Sequence, residues 1–168
     1  KELYKISPYI MPIGTTALLI SILVDPRLGF VVNIFLSFYL GFLLKLDGSI
    51  TTMYIISGSI ASLLAIKQDQ RYNILINGLV MGIVNVLSLA SYGMALNVGA
   101  LDSFSQGLYS FLNGVISSVL ALGTLPIWEN VFSVLTTMKL LELSNPNQPL
   151  LKRLLLEAPG TYHHSILV

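Results

Sequence analysis

Five long apolar stretches without charged residues constrain the fold of this chain more than any other feature of its sequence. A helix that crosses a membrane needs about 20 mainly apolar residues, whereas a helix on the surface of a soluble protein needs a charged outer face. We therefore predict an all-α fold, a polytopic bundle of about five transmembrane helices that has the lipid bilayer as its partner. The predicted spans are residues 8–24, 28–44, 49–66, 73–96 and 103–127.

The composition supports this class of protein and excludes others. Hydrophobic residues make up 54% of the 168 residues and charged residues only 10%, whereas a soluble domain has about 25% charged residues. The net charge of +1 provides no field that would attract nucleic acid. The absence of cysteine excludes disulfides and thiolate metal sites. Because no charge lies inside a predicted span, a proton- or ion-coupled transporter is disfavoured.

Two of the predicted connections contain an acidic residue where a helix should begin. Asp25 stands before Pro26, a combination that is typical of an N-cap followed by the first helical residue. In the sequence Asp47-Gly48-Ser49 we expect Gly48 to end one helix in a left-handed conformation and Ser49 to cap the next helix. Both connections therefore predict sharp helix boundaries between neighbouring spans.

Lysine and arginine are unevenly distributed between the two sides of the predicted bundle, and cytoplasmic loops are enriched in these residues. If the C-terminal tail is cytoplasmic, six basic residues lie inside and three lie outside. We therefore predict that the N-terminus lies outside and that the C-terminus is cytoplasmic. The inner residues are Arg27, Lys67, Arg71, Lys139, Lys152 and Arg153, and the outer ones are Lys1, Lys5 and Lys45.

Apolar residues recur at helical spacing over residues 128–143, which predicts either the end of a long span or an amphipathic helix along the membrane interface. A break rich in Pro and Asn follows, and then a short helix over residues 150–158. Pro159-Gly160 is expected to stop that helix and Thr161 to cap the next one, which places His164 in its first turn. We divide the chain into a transmembrane domain (1–143), a cytoplasmic linker (144–160) and the start of a further domain (161–168).

Polar and small residues inside the predicted spans allow two interpretations. Asparagines can form hydrogen bonds between helices, or they can line a polar cavity in a small-molecule-binding or transport protein. The sequence Gly78-x-x-x-Gly82 allows two helix backbones to approach closely, either within one chain or across a homodimer. The four asparagines are Asn33, Asn77, Asn85 and Asn113.

Both histidines of the chain, His163 and His164, lie in its polar tail. Neutral imidazole is a common metal ligand, and a bound metal ion can activate water for phosphodiester hydrolysis. A complete site needs further His or Asp ligands, and none follows before Val168. Taken alone, the pair is more typical of solvated surface residues, and we expect the chain by itself to hold no cofactor.

The tail is similar to one junction in a known family. Residues 141–144 (Leu-Glu-Leu-Ser), 149–151 (Pro-Leu-Leu) and 154–165 (Leu-Leu-Leu-Glu-Ala-Pro-Gly-Thr-Tyr-His-His-Ser) carry the similarity. They resemble the passage from the membrane domain to the catalytic domain in the seven-transmembrane receptor HD-hydrolase family, the PgpH-type cyclic-di-AMP phosphodiesterases. Upstream, residues 7–12 (Ser-Pro-Tyr-Ile-Met-Pro), 23–28 (Leu-Val-Asp-Pro-Arg-Leu), 77–78 (Asn-Gly) and 125–129 (Leu-Pro-Ile-Trp-Glu) agree with it.

The resemblance implies that the full-length protein is a metal-dependent phosphodiesterase with an extracellular domain and two further spans before the five seen here. An HD domain, beginning near residue 161, would hold a dinuclear manganese or iron centre that hydrolyses cyclic-di-AMP. His164 matches the first metal-ligand histidine of the HD pattern. His163 is a second candidate, although adjacent residues on a helix point about 100° apart.

The resemblance also implies that the catalytic residues follow Val168. We therefore expect this chain to be inactive alone and to be the membrane-anchoring, signal-transmitting part of the enzyme. An anchor without a sensing role is an alternative that the sequence leaves open.

Overall fold

The computed structural model describes residues 8–67, 70–96, 100–145 and 147–167, and this part of the chain contains helices and no strand. It forms two compact units divided between Val134 and Leu135. In the first unit a 3-10 turn (Pro8–Ile10) precedes five α-helices, and a second 3-10 turn (Ala65–Lys67) follows the third of them. The five are α1 (Gly14–Leu23), α2 (Pro26–Leu43), α3 (Gly48–Leu64), α4 (Arg71–Leu96) and α5 (Ala100–Phe132). The second unit contains α6 (Thr137–Leu143), α7 (Pro149–Glu157) and α8 (Pro159–Leu167).

The prediction of an all-α polytopic membrane bundle is confirmed, with one helix for each predicted span. Among the described residues, three helices are long and apolar enough to cross a membrane: Pro26–Leu43, Arg71–Leu96 and Ser105–Phe132. The apolar segments Pro8–Leu23 and Gly48–Leu64 are shorter. Within the first of these, α1 has only 10 residues, a length of about 15 Å, or half of what a membrane crossing requires.

The exterior of the bundle is more apolar than its interior, as expected where lipid replaces water. The rings of Phe35 and Phe42 on α2 are 68% and 88% exposed. The inner face of the same helix carries small and polar residues at four-residue spacing, which allows its neighbours to approach closely. The buried residues of α2 are Gly29, Asn33, Ser37 and Gly41.

The two predicted caps have different outcomes. Asp25 is the N-cap of α2 and accepts a hydrogen bond from the Arg27 amide at 2.7 Å, with Pro26 as the first helical residue, as predicted. The prediction for Gly48 and Ser49 is wrong. Gly48 is already the first residue of α3, and its N-cap is Asp47, whose carboxylate makes no capping bond. The left-handed residue is instead Lys45, with φ of 51°.

Residues 128–143 do not form one helix. α5 continues to Phe132 with Pro126 inside it, and α6 starts only at Thr137, capped by the Thr136 hydroxyl. Because proline lacks an amide hydrogen, Pro126 cannot make the helical hydrogen bond at its position. The first part of this segment is therefore the end of a long span, and the second part is a separate short helix.

The predicted end of the short helix before Pro159 is confirmed, because α7 ends at Glu157, but the predicted cap at Thr161 is wrong. Pro159 is the first residue of α8, a position that suits proline because its missing amide hydrogen has no intrahelical partner there. Thr161 therefore lies inside the helix, and His164 is in its second turn, not its first.

Candidate functional site

Each of the four predicted intramembrane asparagines donates a hydrogen bond to a backbone carbonyl of another segment. Asn33 of α2 reaches the Ile55 oxygen of α3 at 3.1 Å, and Asn77 of α4 reaches the Ala61 oxygen of α3, also at 3.1 Å. In the same way, Asn85 of α4 donates to Ser110 of α5, and Asn113 of α5 donates to Tyr9 and Met11. These bonds link the segments of the bundle in series, each with an average value of about 0.6 kcal/mol.

The amide oxygens of three of these side chains, Asn33, Asn77 and Asn85, are buried without a hydrogen-bond partner in the part of the chain that the structure describes. Each amide thus uses its donor and leaves its acceptor unpaired, which is costly in an apolar medium. None of the four asparagines lines the cavity described below. The four asparagines therefore link neighbouring segments of the bundle by hydrogen bonds and do not form the wall of this cavity.

Gly78 and Gly82 lie at a close crossing between α4 and α5 of the same chain. The third participant is Gly114 of α5. A Cβ atom added to Gly114 would lie 2.3 Å from the Gly82 amide nitrogen and 2.7 Å from the Gly78 oxygen. The G-x-x-x-G face is therefore occupied within the chain, and a second copy could use it only by displacing α5.

Residues 8–13, which we call the leading segment, enter the bundle without α-helical structure. After them, Gly14 begins α1 beside Ser117, near the middle of α5: a Cβ at Gly14 would lie 3.5 Å from that of Ser117. The Thr15 hydroxyl adds a 3.1 Å hydrogen bond to the Ser117 oxygen. The first helix thus starts deep in the bundle.

Two side chains hold the leading segment in place. Asn113 donates to the Tyr9 oxygen at 3.1 Å and to the Met11 oxygen, and the Tyr54 hydroxyl of α3 donates to the Pro8 oxygen. Non-helical backbone at membrane depth is tolerated only where it is buried in protein or lines a water-filled cavity. These contacts satisfy carbonyls that would otherwise be exposed to an apolar environment.

A cavity of about 350 Å³ opens next to the leading segment. It lies at the end of the bundle where α4 ends and α3 begins, which we call the leading end. Tyr9 and Leu89 line the cavity and also pack in a hydrophobic cluster with Ile13, Met53 and Tyr54. The described residues that line it are Tyr9, Asp47, Gly48, Ser49, Leu89, Tyr92, Gly93, Leu96 and Gln106.

The two histidines of the tail lie on α8 and are exposed. The ring of His163 meets that of Tyr162 edge-on, with a centroid separation of 6.0 Å. The described residues contain no group of three or more His, Asp or Glu side chains that could hold a metal ion. These residues by themselves therefore do not fit a dinuclear metal centre.

Two features of the bundle were not predicted from the sequence. The leading segment was included in an apolar span, although it contains Pro8 and Pro12 and proline disfavours helix at the residue before it. Glu129 was placed beyond the last span, but it lies within α5 and is only 6% exposed. A carboxylate buried near the end of a membrane helix is costly and usually has a role.

The fold and these contacts define a class of protein, a multi-pass membrane domain whose helices are joined by amide–carbonyl bonds. Residues 2–136 match the family described as 7TM receptor with intracellular HD hydrolase. The chain belongs to this family, and the resemblance seen in its sequence is confirmed.

Curated relatives agree with this assignment. The cyclic-di-AMP phosphodiesterase PgpH of Bacillus subtilis is 38% identical over 95% of this chain, and that of Listeria monocytogenes is 32% identical over 95%. An uncharacterized protein of Synechocystis is 51% identical over 34% of the chain. The chain spans only 24% and 23% of the length of the two phosphodiesterases. No solved structure matches it.

Proposed function

We propose that this chain is the membrane domain of a metal-dependent cyclic-di-AMP phosphodiesterase and that it transmits a signal to the catalytic domain. The two phosphodiesterases that match along nearly all of the chain support the enzymatic assignment. The signal would pass along α5, because this helix contacts the leading segment through Asn113 and precedes α6–α8 in the chain.

α5 has 33 residues and is therefore about 50 Å long. Its Asn113 side chain holds the leading segment, and four residues, 133–136, separate its last residue, Phe132, from α6. A displacement of the leading segment would act directly on this helix, which is covalently continuous with the tail. Transmission also requires a bundle with two arrangements of similar energy, and the unpaired amide oxygens leave room for alternative hydrogen bonds.

Asn113→Ala in the full-length protein should change kcat/KM for cyclic-di-AMP by about threefold or more, because it frees the leading segment from α5. Asn85→Ala is the matched control. It also removes an amide–carbonyl bond to α5, at Ser110, but leaves the leading segment attached. Rates should be measured in lipid nanodiscs after both variants are shown to be folded. Equal effects of the two substitutions, or no effect of either, would contradict the proposed route.

We also propose that the leading end faces the outside and that α6–α8 lie in the cytoplasm, as the distribution of basic residues predicts. The chain contains no cysteine, so single cysteines can report their side of the membrane. In intact cells a membrane-impermeant maleimide should label Lys45→Cys at once and Asn147→Cys only after permeabilisation. Both native side chains are exposed. The opposite labelling pattern would reverse the topology.

For the metal, we propose that His164 is one ligand of a dinuclear manganese or iron centre in the full-length protein, with the other ligands on its HD domain. The support is the resemblance of residues 154–165 to the family's junction, which the sequence carries. The exposure of His164 on α8 leaves its imidazole accessible to such a domain. The alternative function, binding or transport of a small molecule through the asparagines, is weakened because all four amide groups already donate to backbone carbonyls.

A further inference from the structure

The cavity at the leading end lies beside a membrane segment that is only partly α-helical. α1 begins near the middle of α5, and the leading segment just before it is not α-helical and lies next to the cavity. In membrane proteins, irregular backbone at membrane depth is buried in protein or lines a cavity, and such segments commonly form ligand sites. The position of the cavity is therefore one at which a bound molecule would contact the leading segment directly, through Tyr9.

The charge of the lining favours a cation. Among the described residues that line the cavity, Asp47 has the only charged side chain. The last turn of α4, with Gly93 and Leu96, also faces it, and the final carbonyls of a helix lack intrahelical partners and form its negative end. The positive end of α3 carries about half a charge of opposite sign that offsets this one, so the Asp47 carboxylate supplies the net negative charge of the described lining.

Asp47 differs from the other helix-capping acid of the bundle. The carboxylate of Asp25 accepts a hydrogen bond from the Arg27 amide, whereas the carboxylate of Asp47 accepts no capping hydrogen bond. Asp47 forms no ion pair within the described part of the chain, Lys45 included. Its carboxylate is therefore available to a ligand.

The remaining lining is aromatic, apolar and hydrogen-bonding. The rings of Tyr9 and Tyr92 can contact a cation through their faces, and Leu89 with Leu96 can bury an apolar group. The Tyr92 hydroxyl lies near the start of α3, 3.6 Å from where a Cβ on Gly48 would be. A volume of about 350 Å³ is at the lower end of the range for small-molecule sites.

We propose that this cavity binds a small organic cation, an ammonium group carried on a short apolar or aromatic body. The carboxylate of Asp47 pairs with the ammonium group, and Tyr9, Tyr92 and the leucines surround the rest of the molecule. The site does not depend on the catalytic assignment, because binding is a property of the described bundle alone.

The test uses three probes of similar shape, benzylamine, benzyl alcohol and benzoate, titrated calorimetrically into the protein in nanodiscs of zwitterionic lipid. Heats from empty nanodiscs are subtracted. Benzylamine should bind saturably, about fivefold more tightly than benzyl alcohol, since a partly exposed ion pair adds a modest free energy. Benzoate should show no saturable binding.

Asp47→Asn should abolish the preference for benzylamine over benzyl alcohol. The variant is expected to fold, because Asn and Asp are equally good N-caps. Asp25→Asn, at the opposite end of α2, is the control and should keep the preference. Tyr92→Leu should weaken benzylamine binding by about threefold, whereas Tyr109→Leu, a similarly exposed tyrosine of α5 outside the cavity, should not.

Three results would overturn the proposal. They are the lack of saturable benzylamine binding, a preference for benzoate, and an unchanged preference for benzylamine in a folded Asp47→Asn protein. None of them concerns phosphodiesterase activity. The ligand site and the catalytic assignment can therefore fail separately.

Discussion

Replacing Gly114 by alanine should lower the free energy of unfolding of the bundle by about 3 kcal/mol, at the upper end of the usual cost of overpacking. The added Cβ would lie 2.3 Å from the Gly82 amide nitrogen, 2.7 Å from the Gly82 Cα and 2.7 Å from the Gly78 oxygen. All three atoms belong to backbone, so no side-chain rotation can relieve the overlap. The two helices must separate, and the contacts along their interface weaken together.

Gly123→Ala is the matched control for this measurement. Gly123 lies on the same helix, and a Cβ there would meet nothing within 4 Å. Because alanine favours helix over glycine by about 1 kcal/mol, this variant should be as stable as the parent protein or slightly more so. Both free energies can be measured by SDS titration in mixed micelles, followed by circular dichroism. Equal stability of the two variants would show that α4 and α5 do not cross at Gly114.

Gly78→Ala provides a second test of the same crossing. Unlike Gly114→Ala, it should regain stability when a neighbouring side chain is shortened. Its Cβ would lie 1.9 Å from the Ser118 hydroxyl oxygen and 2.4 Å from the Ser118 Cβ, with the Gly114 oxygen farther away at 3.0 Å. The worst overlap is thus with a side chain. Ser118→Gly should restore much of the stability of Gly78→Ala but none of that of Gly114→Ala, whose overlaps are with backbone.

Much of the fold could be predicted because apolar length and helix-capping chemistry are local properties. The five apolar stretches each became a helix, and Asp25 with Pro26 marked the start of α2. The leading segment could not be separated from its span by composition, because residues 8–24 are mostly apolar and contain no charged residue. The prolines at positions 8 and 12 were the available signal, and the depth at which α1 begins depends on its packing against α5.

The contacts of the site depend on helix rotation and depth, which the sequence does not specify. Every membrane helix offers many backbone carbonyls, so the partner of Asn113 could not be chosen in advance, and neither could the role of Gly114 opposite Gly78 and Gly82. Asp47 was interpreted only as part of a turn. Asp47 and Tyr92 are 45 residues apart in the sequence, and the start of α3 and the end of α4 bring them to the same cavity.

Replacing His164 by alanine in the full-length protein should lower the rate of cyclic-di-AMP hydrolysis more than about a hundredfold, because loss of a ligand should exceed the 10- to 100-fold cost of losing a group that only orients one. The bound manganese or iron, measured by elemental analysis, should fall in the same variant. The melting behaviour of the membrane bundle should stay unchanged, since His164 belongs to the other compact unit.

The variant His163→Ala tests whether the effect of His164→Ala is specific to that residue or would follow from the loss of either histidine of the tail. The two side chains are neighbours on α8 and are both exposed, but they point about 100° apart, so one metal centre is expected to use only one of them. His163→Ala should therefore keep most of the metal and of the activity. If the two variants exchange these outcomes, His163 is the ligand. If both retain full metal content and activity, the junction at residues 154–165 does not belong to the metal centre, and the proposed boundary of the catalytic domain must lie further along the protein.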